Sequence, residues 1–558
     1  MTPDPHAVEI LLQAGDELGV EAVIRWGWIF LALYLVLILF LGYLGYKRVE
    51  AGTGGTSAQD EYATARGGFG FLTLALAYAA TVASGATFMS IPGLGYDMGF
   101  LAGYYAMIYP VGVFFGILLV ARISKKVSDR FGSQSVPDYI GDRFQSPGLR
   151  VITALLSLFL IFYAMAQISA AGWMFEVILG IEYAVGIWAA GLLLIVYLAA
   201  GGSHADILTD AVQGAIMIGI TLLIVVMFAT GWGIDGGMSA VNAALADAET
   251  GANQWDTHTD PENPLFSGWW AIALLFIAHI GFTAQPHLGN KFFAIKSNRY
   301  IRRFMLAASV VGIVLPLMYL GGVLGAAQGI EVADADAIIP TLFVENLHPI
   351  AAAFLGIVIL SAIISTADGL IISISQIFAN DLYRKSYVPW KGGDPDAEAV
   401  HQRTLLISRV STVFIVFVAV AAVIVPPEYL VVFMWTGIGG IIASYGGPYL
   451  VGTVWRGTTK AAAYAAIFFG FGIYFYIHLG PQFGLMGGIW PLNENPYAST
   501  GIGLIVSVLT TVVVSFLTEP PADEHLDKVF DAESRLAETR TTEPTGPADP
   551  AGSSEADD

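Results

Sequence analysis

The stretch Ala79-Ala-Thr-Val-Ala-Ser-Gly-Ala-Thr87 lies inside an apolar run long enough to cross a bilayer. It carries small residues and hydroxyls where a lipid-facing helix would carry Leu or Ile. A second stretch, Ser361-Ala-Ile-Ile-Ser-Thr-Ala-Asp368, does the same inside another long apolar run. Ala362, Ser365 and Thr366 are spaced i, i+3, i+4 and share one helix face. Ala80 and Ala83 are also three apart. They stand just before Ser84-Gly85, where a helix can unwind and free its carbonyls. The carbonyls of Ala80, Ala83 and Ala362, with the hydroxyls of Ser365 and Thr366, form an all-oxygen cage suited to a small hard cation.

Working outward, the chain has 558 residues, of which 56% are hydrophobic and 13% charged. Its mean hydropathy is +0.67, far above that of a soluble enzyme. The pattern predicts an all-α integral membrane protein with about thirteen spans. They fall at about 27–46, 69–96, 102–121, 150–180, 183–200, 209–230, 267–288, 304–327, 347–379, 405–425, 428–455, 460–479 and 499–517. Residues 1–26 are expected to form a polar acidic extracellular tail and 518–558 an acidic disordered cytoplasmic tail. The first apolar run has no basic segment before it and reads as a retained anchor rather than a cleaved signal. Cysteine is absent, which excludes a disulfide frame or thiolate metal site.

Charge orders the spans. Lys47 and Arg48, Arg122 to Arg150, Lys291 to Arg303, and Arg384 with Lys385 all fall on one side of a thirteen-span arrangement. Residues 231–266 and 329–346, on the other side, contain acids but no Lys or Arg. The N-terminus is therefore expected outside and the C-terminus inside, in the cell membrane. The net charge of −20 resides largely in tails and loops. Such an acidic surface suits high salt and a halophilic source.

The seventh predicted span is interrupted like the second, at Gly281-Phe-Thr-Ala-Gln-Pro286. The two lie five spans apart and enter from opposite sides. Corresponding interruptions of this kind mark a binding site at the interface of two inverted five-helix repeats, with broken helices at the midplane.

The sequence resembles the sodium:solute symporter family over roughly residues 30–517. The resemblance rests on Ala80-Thr-Val-Ala-Ser-Gly85, Gly201-Gly-Ser-His-Ala-Asp-Ile-Leu-Thr-Asp-Ala-Val-Gln213, Gln285-Pro-His287, Ser365-Thr-Ala-Asp-Gly369 and Asp381-Leu-Tyr383. It implies a LeuT-like five-plus-five fold and sodium as the coupling ion. It also implies sodium ligation by the Ala80, Ala83 and Ala362 carbonyls and the Ser365 and Thr366 hydroxyls. The resemblance further associates Asp210 with the inward sodium path. Within the family, Ala337-Ile-Ile-Pro-Thr-Leu342 and Pro426-Pro-Glu428 resemble the pantothenate and monocarboxylate branches. Proline-type carriers have an acid where this chain has Val82 and aromatic rings at both Ala278 and Phe282. Only Phe282 keeps the ring here.

A carboxylate solute needs positive partners, and basic residues within the spans are nearly absent. Helix N-termini and neutral donors are the expected substitutes. Thr81, Ser84, Gln167 and Gln285 are the candidate donors, with Tyr163, Phe282 and Trp435 as pocket walls. Arg409 is expected to snorkel. Glu176 and Asp97 are expected to be wet, and Asp368 to face protein or the inner cavity. His279 and His287 have no metal-ligand spacing. The reading is sodium-coupled symport of a small organic solute by alternating access, with no organic cofactor, no nucleic-acid partner and no obligate protein partner. A sodium:proline or amino-acid symporter and a transporter-like solute sensor are the alternatives. No acid/base pair, nucleophile elbow or metal cluster supports an enzyme.

Overall fold

A computed structural model of the chain describes residues 17–50, 68–248, 250–254 and 257–530. Most of the two expected tails lies outside these residues. Among the described residues every regular element is helical. α1 (Glu17–Glu50) precedes the first interrupted span. That span consists of α2 (Phe71–Val82), a break at Ala83-Ser84-Gly85, a π-helical turn (Ala86–Ser90) and α3 (Ile91–Met98). The two halves meet at a bend of 59°. α4 (Phe100–Phe131), α5 (Val136–Arg143), α6 (Pro147–Ser157) and α7 (Leu160–Leu179) follow. Next come α8 (Tyr183–Thr230), α9 (Met238–Ala246) and α10 (Trp269–Ile280). A 3-10 turn (Gly281–Ala284) and extended Gln285 separate α10 from α11 (Pro286–Phe293). α12 (Ile301–Val314), α13 (Tyr319–Ala327) and α14 (Ile338–Asn346) lead to the long α15 (Pro349–Gln376). α15 runs on into a π-helical stretch (Ile377–Tyr387). α16 (Glu398–Ala422), α17 (Leu430–Val454), α18 (Lys460–Tyr474), α19 (Pro496–Leu517) and α20 (Asp523–Phe530) complete the chain.

Among the described residues ten helices are long and apolar enough to cross a membrane, or eleven if the bent pair counts as one span. Tyr183–Val196 and Trp269–Ala284 are apolar but shorter. The expected thirteen thus exceeds what length and composition alone establish. The outer surface supports membrane residence. Val36, Phe414, Phe468 and Phe516 are 62–75% exposed, which in water would make a large uncovered apolar surface.

The fifth and sixth predicted spans join in one helical stretch, Tyr183–Thr230, whose apolar segments are Tyr183–Val196 and Ile207–Thr230. Both ends of the run nevertheless lie at one end of the bundle. The Tyr183 hydroxyl donates to the Val423 carbonyl, and Gln328 donates to the Trp232 carbonyl just past the other end. Asp336 joins the two neighbourhoods by accepting the Leu430 N–H at 2.9 Å. The chain therefore turns back within α8. Burial and neighbouring Asp334 push the Asp336 carboxyl well above the ordinary range.

Close helix contact rests on small residues, as expected without a hydrophobic drive between helices. A Cβ on Gly322 of α13 would lie 1.8 Å from the Pro92 carbonyl oxygen of α3, and one on Gly470 of α18 would lie 2.0 Å from that of Ala443. Gly322→Ala is expected to destabilise the fold by about 1–3 kcal/mol, since backbone must shift. Gly472→Ala, with nothing within 4 Å of its Cβ, should be near neutral. Thermal unfolding of both variants in detergent checks this contrast.

Four further expectations change. Residues 17–26, read as extracellular tail, begin α1. Residues 523–530, read as disordered, form α20 and dock on the bundle. His525 contacts the Arg143 carbonyl at 3.1 Å, and Arg456 pairs with Asp527 at 2.6 Å. Arg143, read as a loop cation, is fully buried. Its guanidinium donates to the Gly452 and Trp455 carbonyls and so caps the C-terminal end of α17. Glu176, expected wet, is 7% exposed, because α7 is packed on most sides.

Candidate functional site

The site grows from the two broken spans and α15. Gly85 follows the break after α2, and its N–H donates to Gln167 Oε1 of α7 at 2.8 Å. A Cβ at Gly85 would stand 2.7 Å from that oxygen and 3.0 Å from Ile363 of α15. The break is thus held against both α7 and α15, and only glycine permits the approach.

On α15, Ser365 Oγ and Thr366 Oγ1 each donate to the Ala362 carbonyl at 3.2 Å. Three of the five expected cage oxygens are therefore together on one face of α15. Ala80, Ala83, Ala362, Ser365 and Thr366 are all less than 5% exposed. The donor set is neutral oxygen throughout, the chemistry a sodium ion favours. Among the described residues no cluster of His, Asp or Glu has metal-binding geometry.

The proposed solute residues divide into three places. Gln167, Gln285 and Tyr163 form a polar group around the breaks, with Ser84, whose hydroxyl accepts the Ala86 N–H at 3.3 Å. Both polar atoms of Gln285 and the Gln167 Nε2 are buried with no hydrogen-bond partner among the described residues. Both ring nitrogens of His287 are in the same condition, and its ring lies edge-on to Tyr163 at 5.6 Å. Unpaired amide and imidazole atoms cost free energy when dry, so they mark a place built for a polar guest or water.

Phe282 and Trp435 form the second place, an aromatic wall with centroids 5.8 Å apart. The His279 ring packs tilted against Trp435 at 4.5 Å and stacks on Tyr497 at 6.3 Å, and Tyr497 meets Trp435 edge-on at 5.3 Å. The Trp435 indole donates to the Tyr105 hydroxyl at 3.2 Å. The wall reaches the first break through Tyr109, which hydrogen-bonds Thr87 at 3.1 Å.

Thr81 belongs to neither. Its hydroxyl lies 2.8 Å from the Ala77 carbonyl and 2.9 Å from Asp210 Oδ2. Asp210 in turn pairs with Lys291 at 2.6 Å, and both side chains are 2% exposed. Lys291 had read as a loop cation. It is instead a buried residue of α11.

Sequence reasoning thus missed His287 and Lys291. Their signal was present: they are four apart after Pro286 and share one face of a helix that Pro begins. His279, Tyr105 and Tyr497 left no comparable pattern, because three distant helices supply them.

At the end of the bundle that holds α5, Asp138 is fully buried and pairs with Arg150 at 3.0 Å and Lys385 at 2.6 Å. Burial alone would raise its carboxyl, but these two cations hold it below the usual range. Burial and the Asp138 charge push neighbouring Asp142 up to about 6, although it too pairs with Arg150. This network ties the α5–α6 hairpin to the far end of the α15 rod.

The model of the sodium:solute symporter family matches residues 62–470, including both breaks and all the α15 cage residues. The chain belongs to the sodium:solute symporter family. Sodium/proline symporters of Staphylococcus aureus strains JH9 and Newman are 26% identical to it over 548 residues, covering 93% of this chain and 99% of each relative. A solved structure of a substrate-bound, outward-open Na+-coupled sialic acid symporter has a TM-score of 0.65. It is 21% identical, covering 89% of this chain and 98% of that one. This symporter is a multi-pass, all-helical membrane protein that couples solute transport to sodium.

Proposed function

We propose that the chain carries a small carboxylate-bearing solute inward with sodium by alternating access. The first reading is a monocarboxylate such as pantothenate or a short organic acid. The observation that carries it is the set of unpartnered polar atoms of Gln167, Gln285 and His287 where the two broken spans meet. These groups offer neutral N–H donors, which suit a carboxylate without requiring a free cation. Tyr163, Phe282 and Trp435 wall the solute. Ser84 completes the polar side.

The Ala80, Ala83 and Ala362 carbonyls with Ser365 and Thr366 hold the sodium ion. Sodium there links the first broken span to α15 and so favours the state in which the solute pocket is formed. Counting Tyr183–Val196 and Trp269–Ala284 with the bent pair supports thirteen spans in an inverted five-plus-five arrangement. The basic loops support an outside N-terminus and a cytoplasmic C-terminus. The inward potential then contributes about 2.3 kcal/mol per charge per 100 mV.

Proline is the second reading, favoured by the sodium/proline symporters among the relatives. Val82 and Ala278 count against it.

Proteoliposome uptake of labelled pantothenate, acetate, lactate, pyruvate and proline tests the proposal, with an inward sodium gradient compared with potassium at matched potential. Sodium-dependent accumulation of one carboxylate supports symport. Binding without accumulation of any of them favours a sensor. Gln285→Ala should raise the solute concentration for half-maximal uptake about 10-fold, the loss of one or two neutral hydrogen bonds. An unchanged concentration dependence would remove Gln285 from the solute site.

A further inference from the structure

α1, α8 and α15 pack against one another, and each contains a stretch long and apolar enough to cross a membrane. Between them lies a cavity of about 290 Å³. Leu33, Leu37, Val212 and Phe354 line it and are 44–61% exposed, so its mouth opens on the lipid side of the bundle. Thr209, Gln213 and Ser361 line it too and are 5% exposed or less, so they form its inner end. None of the residues assigned to the solute lines it.

The inner end holds an unmet polar atom. Gln213 Nε2 donates to the Ser361 carbonyl at 3.1 Å, and Gln213 also meets Tyr34 of α1. Gln213 Oε1 is buried with no hydrogen-bond partner among the described residues. An amide oxygen in that condition costs free energy, and hydrocarbon offers nothing to pair with it. It needs a donor. An ammonium would have to shed its water among aliphatic walls, so the donor that fits is a neutral hydroxyl. The volume is about twice the roughly 150 Å³ of an apolar cavity that holds benzene, which leaves room for about ten carbon atoms. We propose that this cavity binds a membrane alcohol. Its occupant is a neutral amphiphile from the bilayer whose alkyl part lies against Leu33, Leu37, Val212 and Phe354 and whose hydroxyl donates to Gln213 Oε1. Such a guest touches three helices at once and stabilises their packed arrangement, because it binds only where they meet.

The test is photolabelling of the full chain in phosphatidylcholine nanodiscs, with a diazirine-bearing decanol as the probe and the labelled residues mapped by mass spectrometry. Labelling within 30–37, 209–216 and 354–361 should saturate and should fall about 10-fold under excess unlabelled 1-decanol. Labelling at Phe468, exposed on another helix, should do neither. Decane at the same bilayer content should compete about 10-fold more weakly than decanol, the worth of one neutral hydrogen bond. Gln213→Leu should erase that difference while the labelling persists. Ile216→Trp, which fills the cavity from its lining, should abolish the saturable labelling. Labelling that never saturates, or that decane and decanol reduce equally in the wild type, overturns the proposal and leaves an ordinary lipid-facing groove. Both of those results come from the wild type, so they decide the matter even if Gln213→Leu does not fold. A folded Gln213→Leu variant that keeps the preference for decanol overturns it as well.

Discussion

The Ser365→Ala, Thr366→Ala double variant loses sodium-dependent transport while keeping its fold. Each hydroxyl that faces a cation is worth about 1.5–3 kcal/mol, so losing both weakens sodium binding by about 100-fold or more. The cost to the apo protein is small. Both hydroxyls donate only to the Ala362 carbonyl one turn back, a bond that contributes little to a helix and often bends it. Sodium-induced thermal stabilisation separates the two effects. At about 100 times its dissociation constant, a ligand stabilises by about 2.7 kcal/mol. The wild type should show that gain, whereas the double variant should match the sodium-free wild type with and without the salt. A full sodium response in the variant would place the ion elsewhere. Thr366→Ser, which keeps the oxygen, should retain most of the response.

Asp210→Asn is expected to lower stability by about 3–5 kcal/mol, the cost of leaving one member of a buried ion pair without its partner. The remaining member is Lys291, 2% exposed on α11. Little of the amide's dipole replaces the lost charge. Adding Lys291→Gln to Asp210→Asn should restore most of the loss, because the resulting amide pair is neutral and can still hydrogen-bond. Chemical or thermal unfolding of the two variants in detergent measures the difference. Equal stability of the single and double variants would mean that the pair carries no net coupling. Had Lys291 been the surface cation that its place in a basic run suggests, neither change would move stability by more than about 0.5 kcal/mol.

The contrast over Lys291 shows where sequence reasoning stops. Charge runs speak for where cations lie relative to a membrane face only as groups. They cannot say which member turns inward. Arg143 caps the end of α17 and Lys291 neutralises an acid on α8. Both partners lie far away in sequence, so burial is decided by packing that local composition does not encode.

Local patterns were sufficient elsewhere. Ser84-Gly85 and Gly281 to Pro286 remove the means of continuing a helix, so both breaks were legible at the residue where they occur. The i, i+3, i+4 spacing placed Ala362, Ser365 and Thr366 on one face, because helix geometry alone sets that relation. Long apolar runs fixed the all-helical, membrane-spanning class, since backbone groups in lipid must pair within their own segment. Only the tertiary structure directed the Thr81 hydroxyl to Asp210, left the polar side-chain atoms of Gln285 and His287 buried without hydrogen-bond partners among the described residues, and assembled Trp435 with His279 and Tyr497. Each of those facts depends on the distance between helices remote in the chain. Sequence periodicity sets which face a residue occupies, and only the packed bundle sets what that face meets.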